Sequence, residues 1–175
     1  HSLFETSRCV AASPSDTAPA LVALDATMVI QSSSGVRTVA AEDYFVGPAN
    51  DIENTTVLRP GDILTAVRIP NTWANASFYF EKVADRNVWD FALVNIAAAF
   101  KLSGDTIQES RIVAGSVQAT PRRVSNVENA IRGQSRSAAT ADSVASMATD
   151  GARALAHNGF KIPLMENLVK RAIIG

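Results

Sequence analysis

Two side chains stand where a charged or polar ligand can be held. Asp16 follows Ser15 at the head of Thr17-Ala18-Pro19, which reads as a helix start because a short polar side chain caps free amides and Pro fits a first turn. A carboxylate there, together with the amides, can hold the sugar or adenine end of a nucleotide; its ordinary reading is a simple N-cap. Lys82 falls in a run of alternating strand character, where a long cation can reach a bound ring or phosphate; its ordinary reading is a solvated strand face. The remaining candidates carry less. His1 is terminal, and His157, on a predicted helix end, has no Ser or Cys at a spacing that suggests an activated nucleophile; a cation at that end suits the helix dipole. Glu42, Asp43, Asp51 and Glu53 read as solvated carboxylates. The single cysteine, Cys9, excludes an intrachain disulfide and a zinc site of several thiolates. Asn54-Thr55-Thr56 and Asn75-Ala76-Ser77 match the glycosylation triplet, which arises readily by chance. The sequence contains no G-x-G-x-x-G, no G-x-x-x-x-G-K-[ST] and no H-E-x-x-H.

The elements that must position these residues are strands first and helices last. A short helix through Leu24 is expected after Asp16, then strands Ala26 to Gln31 and Val36 to Val39 on either side of a Ser-Ser-Ser-Gly turn, and a single helical turn at Glu42 to Phe45. Pro48 to Asn54 reads as a surface loop, and Thr56 to Leu58 as a short strand. After Pro60-Gly61, residues from Ile63 to Ile69 alternate with the period of a strand that ends at Pro70. Ser77 to Val83, Phe91 to Leu102 and Ile107 to Val117 form three antiparallel strands, the last two joined at Ser103-Gly104-Asp105. From Pro121 the period becomes helical. One helix carries Val124, Val127 and Ile131 and stops at Gly133; a second carries Val144, Met147, Ala148 and Leu155; a third carries Met165, Leu168, Val169 and Ala172. Strands followed by helices, without regular alternation, indicate an α+β fold in two units, 1–70 and 71–175, divided near Pro70 to Ala76.

Composition narrows the partners. The 175 residues are 47% hydrophobic and 19% charged, the balance of a folded soluble protein, and the net charge of -1 with no basic run argues against a nucleic-acid footprint. The longest apolar run, Phe91 to Phe100, is broken by Asn95, so no membrane helix is expected. With His1 in first place and no charged segment leading an apolar one, no signal peptide is read; a processed product or a fragment is expected.

The collinear pieces Pro14-Ser15-Asp16, Ala18 to Ala26, Leu58-Arg59-Pro60-Gly61-Asp62-Ile63-Leu64 and Ile69-Pro70 are similar to the FAD-binding medium subunit of molybdenum-containing hydroxylases. These comprise the xanthine dehydrogenase, aldehyde oxidoreductase and CO dehydrogenase flavoprotein group. The likeness continues through Phe80, Lys82, Arg86, Asp90, Ala92 and Val94, Ala114-Gly115-Ser116-Val117, Pro121, Arg123 and Glu128, and ends with Phe160-Lys161 and Leu168 to Arg171, covering nearly the whole chain. It implies that residues 1–70 are the end of the second FAD-binding subdomain, antiparallel strands with a helix. Residues 71–175 would be a C-terminal domain of three antiparallel strands and three helices.

The resemblance further implies that Asp16 contacts the nucleotide part of FAD, that Leu64 lines the flavin site and that Lys82 reaches the cofactor from its strand. The implied activity is electron transfer. Substrate is hydroxylated at molybdopterin on a large subunit, electrons pass through [2Fe-2S] clusters on a small subunit, and FAD hands them to an acceptor. Two departures stand out. The family's two glycine-rich phosphate-binding segments have no counterpart in this sequence, so the stretch alone is expected to bind FAD weakly or not at all and to be inactive; Trp89 also replaces a smaller aromatic. His1 through Asp16 resembles most the aldehyde oxidoreductase branch, whose flavin subunit carries a [4Fe-4S] loop, so Cys9 is a candidate cluster ligand beside its ordinary reading as a small buried hydrophobe. The competing reading is a non-catalytic interaction domain that keeps the fold without flavin. A soluble cytoplasmic or periplasmic protein is expected.

Overall fold

The computed structural model describes residues 1–4 and 8–175. Among the described residues, seven strands form two antiparallel sheets, with five α-helices packed about them. The chain enters through helix α1 (Thr17–Ala23), whose Ser15 hydroxyl accepts the Ala18 amide at 3.1 Å. Strands β1 (Thr27–Ser32) and β2 (Gly35–Ala40) make a hairpin, helix α2 (Ala41–Tyr44) is one turn, and β3 (Ile63–Arg68) pairs with the free edge of β1. Thr56 forms only an isolated bridge to Phe45 in place of the expected strand over Thr56 to Leu58. All six residues of β3 are exposed, because it is an edge strand whose alternation buries neither face.

The second sheet runs β4 (Ser77–Val83), β5 (Val94–Ser103), β6 (Thr106–Gly115) and β7 (Arg122–Arg123). Gly104 at φ +56 turns β5 into β6, a conformation that glycine takes without a Cβ penalty. The fourth strand adds to the three anticipated; two residues carry no periodicity by which a sequence could announce it. Strand β5 also starts three residues later than expected, leaving Phe91 71% exposed.

Strand β5 is buried on both faces, and its alternation assigns each residue to one of two cores. Val94, Ile96, Ala98 and Phe100 join Ile112 and Ala114 of β6 under helices α3 (Ser125–Ile131), α4 (Ala138–Val144) and α5 (Lys161–Ile174). Leu3 and Phe4 are buried in this same core. On the other face, Ala97 and Val113 meet Val22 and Ala23 of α1 and Met28 and Ile30 of β1. The alanines of β5 matter here, since small side chains let α1 lie close to the sheet.

The helical expectation needs two corrections. Helix α4 gives way to a 3-10 segment, Ala145–Thr149, so Met147 and Ala148 lie beyond its end and Leu155 lies in the following loop. His157 sits in a turn ahead of α5, not at a helix C-terminus, so no helix dipole calls for its charge. The break falls in a Ser/Ala-rich stretch whose side chains bury too little surface to hold a longer helix.

Charged side chains join the two sheets. Asp25, held at φ +52, accepts the Trp73 indole N–H at 2.7 Å and Arg111 Nε at 3.1 Å. Arg111 lies 3.9 Å from Glu128, a buried carboxylate that accepts the Ile112 amide at 2.9 Å and two Arg123 donors at 2.7 and 2.9 Å. Arg123 in turn reaches Glu42 of α2 at 3.6 Å, and its hydrogen bonds to Glu128 raise its pKa above the ordinary value. A buried carboxylate is tolerated only when paired and hydrogen-bonded in this way.

Candidate functional site

Asp16 and Lys82, 66 residues apart, meet. Lys82 Nζ donates to Asp16 Oδ2 at 2.6 Å and to the Asp90 carbonyl at 2.6 Å. Asp16 makes no side-chain cap bond to α1; Ser15 fills that role, so the simple N-cap reading of Asp16 does not hold. Nor is Lys82 on a free strand face. The strand register explains the meeting: Lys82 of β4 lies opposite Asn95 of β5, which lies opposite Gly115 of β6. Residues directly opposite share a face, so these three form a row across the sheet beneath the start of α1.

Asn95 is fully buried and donates from Nδ2 to Asp16 Oδ1 at 3.2 Å. Gly115 has no side chain because there is no room: a Cβ would lie 1.9 Å from Asn95 Oδ1 and 2.6 Å from Pro19 Cγ. Each Asp16 oxygen thus has one protein donor, yet the side chain keeps 41% of its surface exposed and has lone pairs left over. Lys82, at 27%, is also reachable from solvent.

The loop after β4 is tied to the same point. Asp90 accepts the Arg86 and Phe91 amides, each at 3.0 Å, and the Arg86 guanidinium donates to the Trp89 carbonyl at 2.8 Å. These bonds hold Trp89 at φ +56 with its side chain 94% exposed, beside an open groove of about 410 Å³ that Lys82, Arg86 and Asp90 also line. Along β4, Phe78 and Phe80 share the face of Lys82 and are half-exposed. Between them and α1 runs an apolar groove of about 210 Å³ lined by Ala20, Leu24, Phe80 and Ala97. An ion pair that opens beside an aromatic, apolar strip suits a ligand with hydroxyl and charged groups at one end and a flat ring at the other. FAD has this composition, and the residues present fit it.

Leu64 lies elsewhere, on β3 of the first sheet opposite Ile30, and is 36% exposed. Cys9 is partly exposed, with the Ala11 amide 3.4 Å from its Sγ. Among the described residues no group of three or more His, Cys, Asp or Glu is placed to hold a metal ion. Residues 5–7 of the segment likened to aldehyde oxidoreductases lie outside the described residues. No helix among the described residues is long and apolar enough to cross a membrane.

Residues 79–174 match the family described as the CO dehydrogenase flavoprotein C-terminal domain. The chain belongs to that family. Residues 7–72 match a second description, the FAD binding domain in molybdopterin dehydrogenase. Among relatives, the chain is similar to the glyceraldehyde dehydrogenase medium chain of Sulfolobus acidocaldarius, 34% identical over 120 residues that make up 69% of this chain and 40% of that one. It is also similar to the aldehyde oxidoreductase FAD-binding subunit of Escherichia coli, 32% identical over 66% of this chain and 35% of the relative. Its fold matches the crystal structure of quinoline 2-oxidoreductase from Pseudomonas putida, with a TM-score of 0.79 and 28% identity over 94% of this chain and 56% of that one. The chain therefore spans about a third to a half of the curated relatives it matches. The α+β fold and the resemblance to medium subunits of molybdenum hydroxylases are borne out.

Asn95, Asp90 and Gly115 were the participants without an assigned role in the sequence. One signal was available for Asn95. An amide inside Val-Asn-Ile-Ala-Ala-Ala-Phe, a run apolar enough for a strand buried on both faces, must find a partner there.

Proposed function

We propose that the intact polypeptide carrying this chain is the FAD-binding medium subunit of a molybdopterin-dependent hydroxylase or dehydrogenase of the xanthine or aldehyde oxidoreductase type. It works with a molybdopterin-binding large subunit and a [2Fe-2S] small subunit, relaying electrons from iron–sulfur clusters through FAD to an acceptor. The observation that carries the reading is the Asp16–Lys82 contact of 2.6 Å, formed by two residues of no local relation and left open beside an apolar aromatic strip. The family matches support the same reading.

FAD, when bound, supplies the redox chemistry, accepting and releasing electrons singly or in pairs; the protein contributes binding, orientation and electrostatics. Asp16 accepts hydrogen bonds from hydroxyls of the nucleotide part. Lys82 neutralises the Asp16 carboxylate and ties it to the 84–92 loop through the Asp90 carbonyl, so the carboxylate and the Trp89 loop are held in one register. Leu64 lines the flavin site from the first sheet, and Cys9 is a ligand of a [4Fe-4S] cluster in the intact subunit. We also place the boundary between a FAD-binding unit, 1–70, and a C-terminal unit, 71–175.

Asp16→Asn and Lys82→Met in the intact polypeptide test the reading. Each removes one charge from the pair, and a charge-assisted hydrogen bond is worth about 1.5–3 kcal/mol, so FAD affinity is expected to fall roughly tenfold or more. Unchanged FAD affinity in both variants would overturn these roles.

A further inference from the structure

We infer that Asn95 is a positioning residue for the cofactor, acting through Asp16 and not through contact with the ligand. The inference rests on the FAD reading above and goes beyond it.

Asn95, the second residue of β5, is fully buried, so its amide cannot reach a molecule bound at the surface. Its Nδ2 is spent on Asp16 Oδ1 at 3.2 Å. Its Oδ1, turned toward Gly115, has no hydrogen-bond partner among the described residues. A buried, unsatisfied carbonyl oxygen destabilises the fold, so stability alone does not explain an amide at this place. An apolar side chain of the same branched shape would fill the space without the penalty. What the amide does provide is a donor that fixes one Asp16 oxygen while Lys82 fixes the other. Two donors on different oxygens set the plane of the carboxylate, which a single lysine contact leaves free to rotate. The lone pairs that remain are then fixed in direction on a side chain that is 41% exposed. Gly115 completes the device, since any Cβ there would overlap the amide.

Asn95→Leu separates positioning from structure. Leu has nearly the outline of Asn and removes both the donor and the orphaned acceptor. The midpoint of thermal unfolding is therefore expected to hold or rise, while the dissociation constant for FAD, measured by titration calorimetry on the intact polypeptide stripped of flavin, rises about tenfold. A residue with a merely structural role would move stability and affinity together.

The second measurement is a double-mutant cycle with Asp16→Asn. If Asn95 acts through Asp16, Asn95→Leu has little further effect on FAD affinity once the carboxylate is gone. Asn95→Ala, which removes the donor without adding volume, guards against a folding failure of the Leu variant: its FAD affinity is expected to fall to the same extent, and unchanged affinity would overturn the positioning role. Equal loss in both backgrounds, or unchanged affinity in Asn95→Leu, would overturn the positioning role while leaving the FAD reading intact. Absence of FAD binding by the unaltered polypeptide would overturn both.

Discussion

Replacing Gly115 with Ala is the most exacting test of the packing beneath Asp16. The added methyl would lie 1.9 Å from Asn95 Oδ1 and 2.6 Å from Pro19 Cγ, both far inside ordinary contact. Neither neighbour can retreat cheaply. Asn95 is fully buried between two strands, and Pro19 is a rigid ring in the first turn of α1 with the second core behind it. Overpacking of this kind costs about 1–3 kcal/mol, and two unyielding neighbours place Gly115→Ala at the upper end, about 3 kcal/mol. For a chain of this size that corresponds to a loss of about 6–12 °C in Tm, measurable by calorimetry or by circular dichroism. Adding Asn95→Ala removes the worse of the two overlaps, so the double variant should be more stable than the sum of the singles predicts, by about 1 kcal/mol or more. A Tm within about 1 °C of the parent for Gly115→Ala would refute the close approach of α1 to the Lys82–Asn95–Gly115 row.

Two further predictions concern charge. Glu128→Ala should destabilise by about 2–3 kcal/mol in urea unfolding, because it strips the acceptor from the Ile112 amide inside the core and leaves Arg123 with Glu42 as its paired carboxylate; a loss below about 1 kcal/mol would contradict the network. Burial, followed by the hydrogen bond to Glu81, raises the Tyr79 phenol to about 12 from the ordinary 10.0. The folded chain thus holds this proton more tightly than the unfolded chain, and the stability so contributed is present below about pH 10 and lost as pH rises through about 12. Ultraviolet titration of a Tyr44→Phe variant, in which Tyr79 is the one remaining tyrosine, should show an apparent pKa of about 12, and ionisation of Tyr79 near 10 in the folded protein would contradict it.

The parts of this fold that sequence could reveal are those governed by local rules. The Ser103-Gly104-Asp105 turn and its flanking strands follow from glycine's tolerance of positive φ and from period-two burial. Helix α5 buries Met165, Leu168, Val169 and Ala172, the face its spacing indicates. What local rules could not supply was partnership over distance. Asp16 resembles a cap by its neighbours, but a lysine 66 residues away takes its carboxylate instead. Lys82 resembles a solvated cation, yet the pairing of β4 with β5 sets it beside Asn95 under α1. Strand β7 is too short for a pattern, and the end of α4 reflects what packs on it more than its propensity. The likeness to molybdenum-hydroxylase flavoproteins singled out Asp16 and Lys82 but not Asn95, whose part follows from register and burial alone.

The most direct test of the central claim is the visible absorption spectrum of the intact polypeptide carrying this chain, purified, desalted and followed by identification of any chromophore released on denaturation. Flavin bands arising from released FAD are the predicted result, with a broad iron–sulfur background in addition if Cys9 is a cluster ligand. A colourless protein that cannot be reconstituted with FAD would contradict the account and leave a non-catalytic interaction domain as the reading of this fold.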